Sequence, residues 1–158
     1  MGDTYSKAYF HLVFAVKNRQ ALIGKQWRVE LEKYISGIIK NHGHSLLALY
    51  AMPDHIHILI RYNLNNLIPK LVEEIKVSSN HWINQKGFTK FNFQWQKGYG
   101  AFSHSESNIE AVINYILNQE DHHKKNSFQE EYLELLQEFK IDFKNEYLFD
   151  FFDESSSY

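Results

Sequence analysis

The chain has 158 residues, 44% of them hydrophobic and 16% aromatic, enough for one domain to bury a core without covalent staples. It contains no cysteine, which excludes disulfides and thiolate metal sites and leaves His, carboxylate, amide and water as possible metal ligands. The net charge of −2 conceals a split, because residues 129–158 hold nine acids against Lys140 and Lys144, a net of −7, which leaves +5 on residues 1–128. A mildly basic body of about 1–128 with an acidic helix and tail over about 129–158 is the expected layout of a single domain. Such a layout is compatible with phosphate contact, which depends on local charge rather than on the sum. Met1 to Lys17 lacks a basic stretch followed by an apolar run, and no stretch approaches the roughly 18 apolar residues of a membrane span. The expectation is a soluble, cytosolic protein.

In chain order, Tyr5 to Val16 is rich in aromatic and β-branched residues and predicts a first strand. Gln26 to Asn41 carries Trp27, Leu31, Tyr34, Ile35 and Ile38 at helical spacing and stops at Asn41-His42-Gly43. Ser45 to Met52 and His55 to Tyr62 predict two strands joined by a tight turn at Pro53-Asp54. A second helix follows from Asn63 to about Gln85. Phe91 to Phe102 predicts a fourth strand, with Gly98 and Gly100 marking a bulge or a close backbone approach. The order βαββαβ predicts a ferredoxin-like or RRM-like α+β fold: an antiparallel sheet with both helices on one face and the other face free. A third helix spans about Glu106 to His123, with Ser107 and Glu110 at capping-box spacing, and a fourth runs from Phe128 to Phe139. Ser155-Ser156-Ser157 reads as a frayed end.

In the third strand side chains alternate, so His55, His57 and Leu59 share one face while Ile56, Ile58 and Ile60 share the other. The isoleucines mark the helix-covered side. The histidines then stand on the free face, about 6 to 7 Å apart at Cα, close enough for two imidazoles to converge on one ion. By itself the pair reads more simply as two polar residues on a half-exposed strand. On the third helix Tyr115 and Gln119 are i and i+4 neighbours, with His122 and His123 further along, and they flank a stripe of Ile109, Val112 and Ile116. Taken alone, Tyr115 reads as an aromatic at the rim of the core.

The stretch Met52-Pro53-Asp54-His55-Ile56-His57-Ile58-Leu59 resembles the metal motif of the HUH single-tyrosine transposases of bacterial insertion sequences, the insertion-sequence 200/605 group. Phe93-Gln94-Trp95-Gln96-Lys97-Gly98-Tyr99-Gly100-Ala101-Phe102-Ser103, Tyr115-Ile116-Leu117-Asn118-Gln119, His122-His123-Lys124-Lys125 and Phe128-Gln129-Glu130-Glu131-Tyr132 resemble that family's later signatures in the same order. The resemblance implies that His55 and His57 are metal ligands, that Gln119 is the third and that Tyr115 is the nucleophile. It implies Mg²⁺ or Mn²⁺ as the ion, although imidazole ligands also suit Zn²⁺, Ni²⁺ and Co²⁺. It further implies single-stranded DNA with hairpin ends as substrate, a 5′-phosphotyrosine intermediate, a homodimer, and action at the bacterial nucleoid. No nucleotide cofactor is implied, and the sequence has no Gly-rich phosphate loop.

Tyrosine needs such help, since a hydroxyl with a reference pKa of about 10 is a weak nucleophile at neutral pH. Lys97, Lys124 and Lys125, with Lys86 and Lys90, are candidate DNA contacts; the neighbouring Trp82, Phe91, Trp95 and Tyr99 are read first as core and second as base-stacking surfaces. One departure from the family pattern is Ser103-His104-Ser105 where relatives carry hinge glycines before the tyrosine helix. The acidic tail, which the resemblance leaves unaccounted for, is read as a shield over the basic surface. Competing readings are a catalytically inactive module that binds single-stranded or hairpin nucleic acid, and a metal hydrolase with no covalent step.

Overall fold

The structure, a computed structural model, describes residues 4–152; Ser155-Ser156-Ser157 and the acids Asp153 and Glu154 lie outside them. The elements in chain order are β1 (Tyr9–Ala15), α1 (Arg28–Asn41), β2 (Ser45–Ala51), β3 (His55–Arg61), α2 (Ile68–Lys86), β4 (Gly100–His104), α3 (Ile109–Leu117), α4 (Gln119–His122) and α5 (Phe128–Glu138). The four strands form one antiparallel sheet in the order β2-β3-β1-β4, the α+β arrangement expected from the element order.

The alternation in β3 decides what covers each face. Ile56 and Ile58 lie opposite Phe14 and Leu12 of β1, and this side packs against Leu31, Ile35 and Ile39 of α1 and Leu71 and Ile75 of α2. Burying each such side chain stabilises the fold by about 1.5–3 kcal/mol relative to exposure. Helix α2 opens with Pro69 in its first turn, where the missing N–H costs nothing, and closes at Gly87 in the left-handed conformation, φ 68°.

The other face is not free. Val112 and Ile116 of α3 pack on Ala48 and Leu59, and α5 lays Phe128, Tyr132, Leu135 and Leu136 against the core beside Phe102 and Phe149. Helix α5 and the segment around Phe149 pack on the body, while residues 141–147 between them are exposed. Gln96 ties the end in, its amide donating to the Asp150 carbonyl and accepting from the Asp150 N–H, each at 2.8 Å.

Three local expectations are corrected. Residues 91–99 do not extend β4, because Asn84 and Asn80 of α2 take the backbone groups that a strand would use. Asn84 bridges both polar groups of Phe93, at 2.8 and 2.9 Å, and Asn80 accepts from the Trp95 N–H at 3.2 Å. Lys76 then binds the carbonyls of Gln96 and Gly98 at 2.8 and 2.6 Å. The helix foreseen over Glu106 to His123 begins as a 3₁₀ turn, Glu106–Asn108, and breaks at Asn118, φ −103° and ψ 26°, into α3 and α4. The Ser107–Glu110 capping box does not form; the Ser107 hydroxyl pairs with Ser105, whereas Ser127 caps α5 by accepting from the Glu130 N–H at 3.1 Å.

Gly100 lets α5 approach the sheet. A Cβ there would stand 2.9 Å from both the Tyr132 hydroxyl and the Phe102 ring, two buried side chains. Gly100→Ala is expected to destabilise the fold by about 1–3 kcal/mol through overpacking, measured as a lower urea midpoint at unchanged slope.

Candidate metal centre

Strand alternation sends His55 and His57 of β3 to the face covered by α3 and α5, where both are fully buried. Position 131 of α5 shares that helix's apolar stripe, being three residues after Phe128 and four before Leu135, so the Glu131 carboxylate is driven into the same interior with 1% of its side chain exposed. Its Oε1 lies 2.9 Å from His57 Nε2, 3.2 Å from His123 Nε2 and 3.5 Å from His55 Nε2. Its Oε2 accepts from the Tyr115 hydroxyl and lies 3.3 Å from His122 Nε2. Gln119 is wholly buried beside them, its Oε1 2.9 Å from His123 Nε2 and 3.5 Å from His55 Nε2, while its amide N–H donates to the Tyr115 carbonyl at 3.3 Å.

Each imidazole is also held from behind. His55 Nδ1 is 2.7 Å from Asp54 Oδ1, His57 Nδ1 is 2.7 Å from His11 Nε2, and His123 Nδ1 is 2.8 Å from the Asn126 carbonyl. This is the arrangement of metal-ligating histidines, whose far nitrogens are fixed by a second polar group so that the near ones point inward. The Phe128 ring stacks on His55, centroids 3.9 Å apart, and fixes its plane.

Charge follows from this crowding. Burial alone would lower His55, but Asp54 and Glu131 outweigh it and push it up to about 9. Burial lowers His57 despite Glu131, and burial with the neighbouring His57 holds His11 well below its ordinary value. Glu131 is itself buried, yet the surrounding imidazoles hold it far below the usual carboxylate range. Burial and the Glu131 charge together raise the Tyr115 hydroxyl well above 10.

His55, His57, His123 and Glu131 offer ligand atoms all within 4.8 Å of one another, and the donor set suits a divalent metal. His55 and His123 supply the chemical test of that fit. Both face oxygen atoms at each ring nitrogen, contacts that a second ring proton or a cation at the centre satisfies, so the donor set is compatible with a bound metal.

Of the residues singled out by sequence, His55, His57, Tyr115 and Gln119 are brought together. Lys124 and Lys125 line an open groove that also exposes Tyr115 and His122, with Lys124 paired to Asp121 at 3.1 Å. Lys97 is exposed on the connection to β4 and is not among that groove's lining residues. Trp95 is core, Trp82 is partly buried and stacks on Tyr34 at 4.6 Å, and Phe91 is exposed. The sequence reading missed His11, Asp54 and Glu131 and gave His123 no role.

The four-stranded sheet thus buries an imidazole pair beneath the helix that carries Tyr115. The sequence model of the family described as "Transposase IS200 like" matches residues 4–119, most of the chain, and the chain belongs to that family. It is 25% identical to the ISDra2 transposase TnpA of Deinococcus radiodurans over 125 residues, 76% of this chain and 89% of that protein. A crystal structure of a transposase from the same organism superposes with a TM-score of 0.58 at 25% identity, covering 75% of this chain and 96% of that one. A REP-associated tyrosine transposase solved with a REP hairpin gives a TM-score of 0.59 at 17% identity, over 78% and 73% of the two chains, a likeness of fold. Among the described residues no helix is long and apolar enough to cross a membrane.

His11→Phe removes the group that orients His57 while keeping an aromatic ring in its place. It is expected to weaken Co²⁺ binding about 10–100-fold by calorimetry, with the circular dichroism of the fold unchanged.

Proposed function

We propose that this chain cleaves and rejoins single-stranded DNA at insertion-sequence ends, with Tyr115 as the nucleophile and a divalent metal, Mg²⁺ or Mn²⁺ by resemblance, held near His55, His57 and Gln119. The observation that carries the proposal is the shared contact at Glu131: one carboxylate receives the Tyr115 hydroxyl on one oxygen and faces the imidazoles on the other. The nucleophile and the candidate metal site are therefore one centre. When bound, the metal polarises the scissile phosphate and stabilises charge on the leaving oxygen.

The residues supply the rest. Gln119 and Glu131 hold Tyr115 at the floor of the groove, where Lys124 and Lys125 are set to meet a DNA backbone. The Tyr115 oxygen attacks a phosphorus, forming a 5′-phosphotyrosine and releasing a 3′-hydroxyl, and reversal with a different 3′-hydroxyl rejoins strands without an external energy source. A hairpin end as the bound element agrees with the REP hairpin held by the structural neighbour. The homodimer expected from the resemblance belongs to the same proposal.

Incubated with single-stranded element ends and Mn²⁺, the protein is expected to form a denaturation-resistant adduct, and Tyr115→Phe to abolish it. An adduct that survives Tyr115→Phe contradicts the assignment. Hairpin binding by the wild-type chain without any adduct would favour the inactive binding module, and cleavage without an adduct the metal hydrolase.

A further inference from the structure

We propose that the metal centre is a four-residue, three-imidazole and one-carboxylate set, His55, His57, His123 and Glu131, two of whose members come from the chain beyond the segment matched by the family, and that it selects a transition metal over Mg²⁺. The proposal deepens the reading of Tyr115 and its metal and rests on it.

Geometry comes first. Four ligands at 2.0–2.1 Å around a tetrahedral ion stand about 3.3–3.4 Å from one another. Glu131 Oε1 meets the three imidazole Nε2 atoms at 2.9, 3.2 and 3.5 Å, which brackets that spacing, and all four ligand atoms lie within 4.8 Å of one another. The three far nitrogens are each held by a different group, Asp54, His11 and the Asn126 carbonyl, so all three rings are aimed inward by contacts independent of one another. His123 is aimed this way as fully as the two motif histidines, although it belongs to the turn after α4.

The alternative for these residues is a purely structural ion-pair knot, with Glu131 as the partner of protonated histidines. The contact between His11 and His57 argues against that reading. Glu131 already has four imidazoles and the Tyr115 hydroxyl around its two oxygens, whereas a further imidazole, His11, stands behind His57, where it orients the ring without touching the carboxylate. Orientation of that kind serves a ligand.

Ligand chemistry then selects the ion. Mg²⁺ takes oxygen donors in near-ideal octahedral geometry and keeps several waters, whereas three imidazoles with one carboxylate suit Mn²⁺, Co²⁺ or Zn²⁺. Gln119 Oε1, 2.9 Å from His123 Nε2, supplies a further oxygen at the edge of the set. With Oε1 on the ion, Oε2 still accepts from Tyr115, so the same carboxylate ties the nucleophile to the metal.

Pulsed electron paramagnetic resonance of Mn²⁺ bound to the full chain, without DNA, counts coordinated imidazoles directly and needs no variant. Three are expected; two, the number the motif alone provides, would overturn the proposal. Calorimetric titration with Co²⁺ is expected to show affinity lowered at least about 100-fold by Glu131→Gln and by His123→Asn, since outer-shell losses alone cost 10–100-fold. Wild-type affinity in both variants would also overturn it. A hundredfold excess of Mg²⁺ is expected to leave Co²⁺ in place, and displacement at that excess would contradict the selectivity. The covalent reading is judged separately, since the Tyr115→Phe adduct assay can succeed whether two imidazoles are counted or three.

Discussion

A carboxylate buried in an apolar interior must be paired, because stripping a charge of water costs several kcal/mol that only close partners return. Glu131 is that carboxylate, and the arrangement around it explains why α5 lies where it does. Phe128 and Tyr132 on either side supply the apolar contact, while the imidazoles of β3 and of the α4–α5 turn supply the compensation. Removing one partner of such a cluster characteristically costs about 3–5 kcal/mol, because it strands the remaining charge. The cluster is therefore a determinant of the fold.

The sheet makes this possible by having two unlike faces. One is an aliphatic surface against α1 and α2, and it fixes the register that turns both histidines of β3 toward the other. That second face is divided: Ala48 and Leu59 seat α3 through Val112 and Ile116, and the region from His11 to Phe102 seats α5. Tyr115 sits at the seam between the two, close to the imidazoles yet open to the groove that carries Lys124 and Lys125. The break at Asn118 turns the chain so that Gln119, His122 and His123 all face the same cluster that Tyr115 faces.

Much of this was legible in the sequence. Strand alternation alone separates Ile56, Ile58 and Ile60 from His55 and His57, and the helical spacing of α1 and α2 is unambiguous. The extent of β4 was not legible, because the aromatic run before it looks extended until the asparagine amides of α2 claim its backbone. Glu131 was hidden by counting it among the acids of the C-terminal segment, where charge reads as solvation. Its signal was present all the same: in Phe128, Glu131, Tyr132 and Leu135 the acid falls on the apolar stripe of its helix, which predicts a buried charge with partners elsewhere. His11 carries no such mark, since a single histidine in an aromatic strand acquires meaning only from the pairing of β1 with β3 that sets it beside His57.

Anomalous diffraction from a crystal soaked in Mn²⁺ tests the account most directly. A single peak bonded to the Nε2 atoms of His55, His57 and His123 and to Glu131 Oε1, with Tyr115 still on Oε2, is the predicted result. A peak bonded to fewer than three imidazoles, with Glu131 turned away from it, would contradict the account.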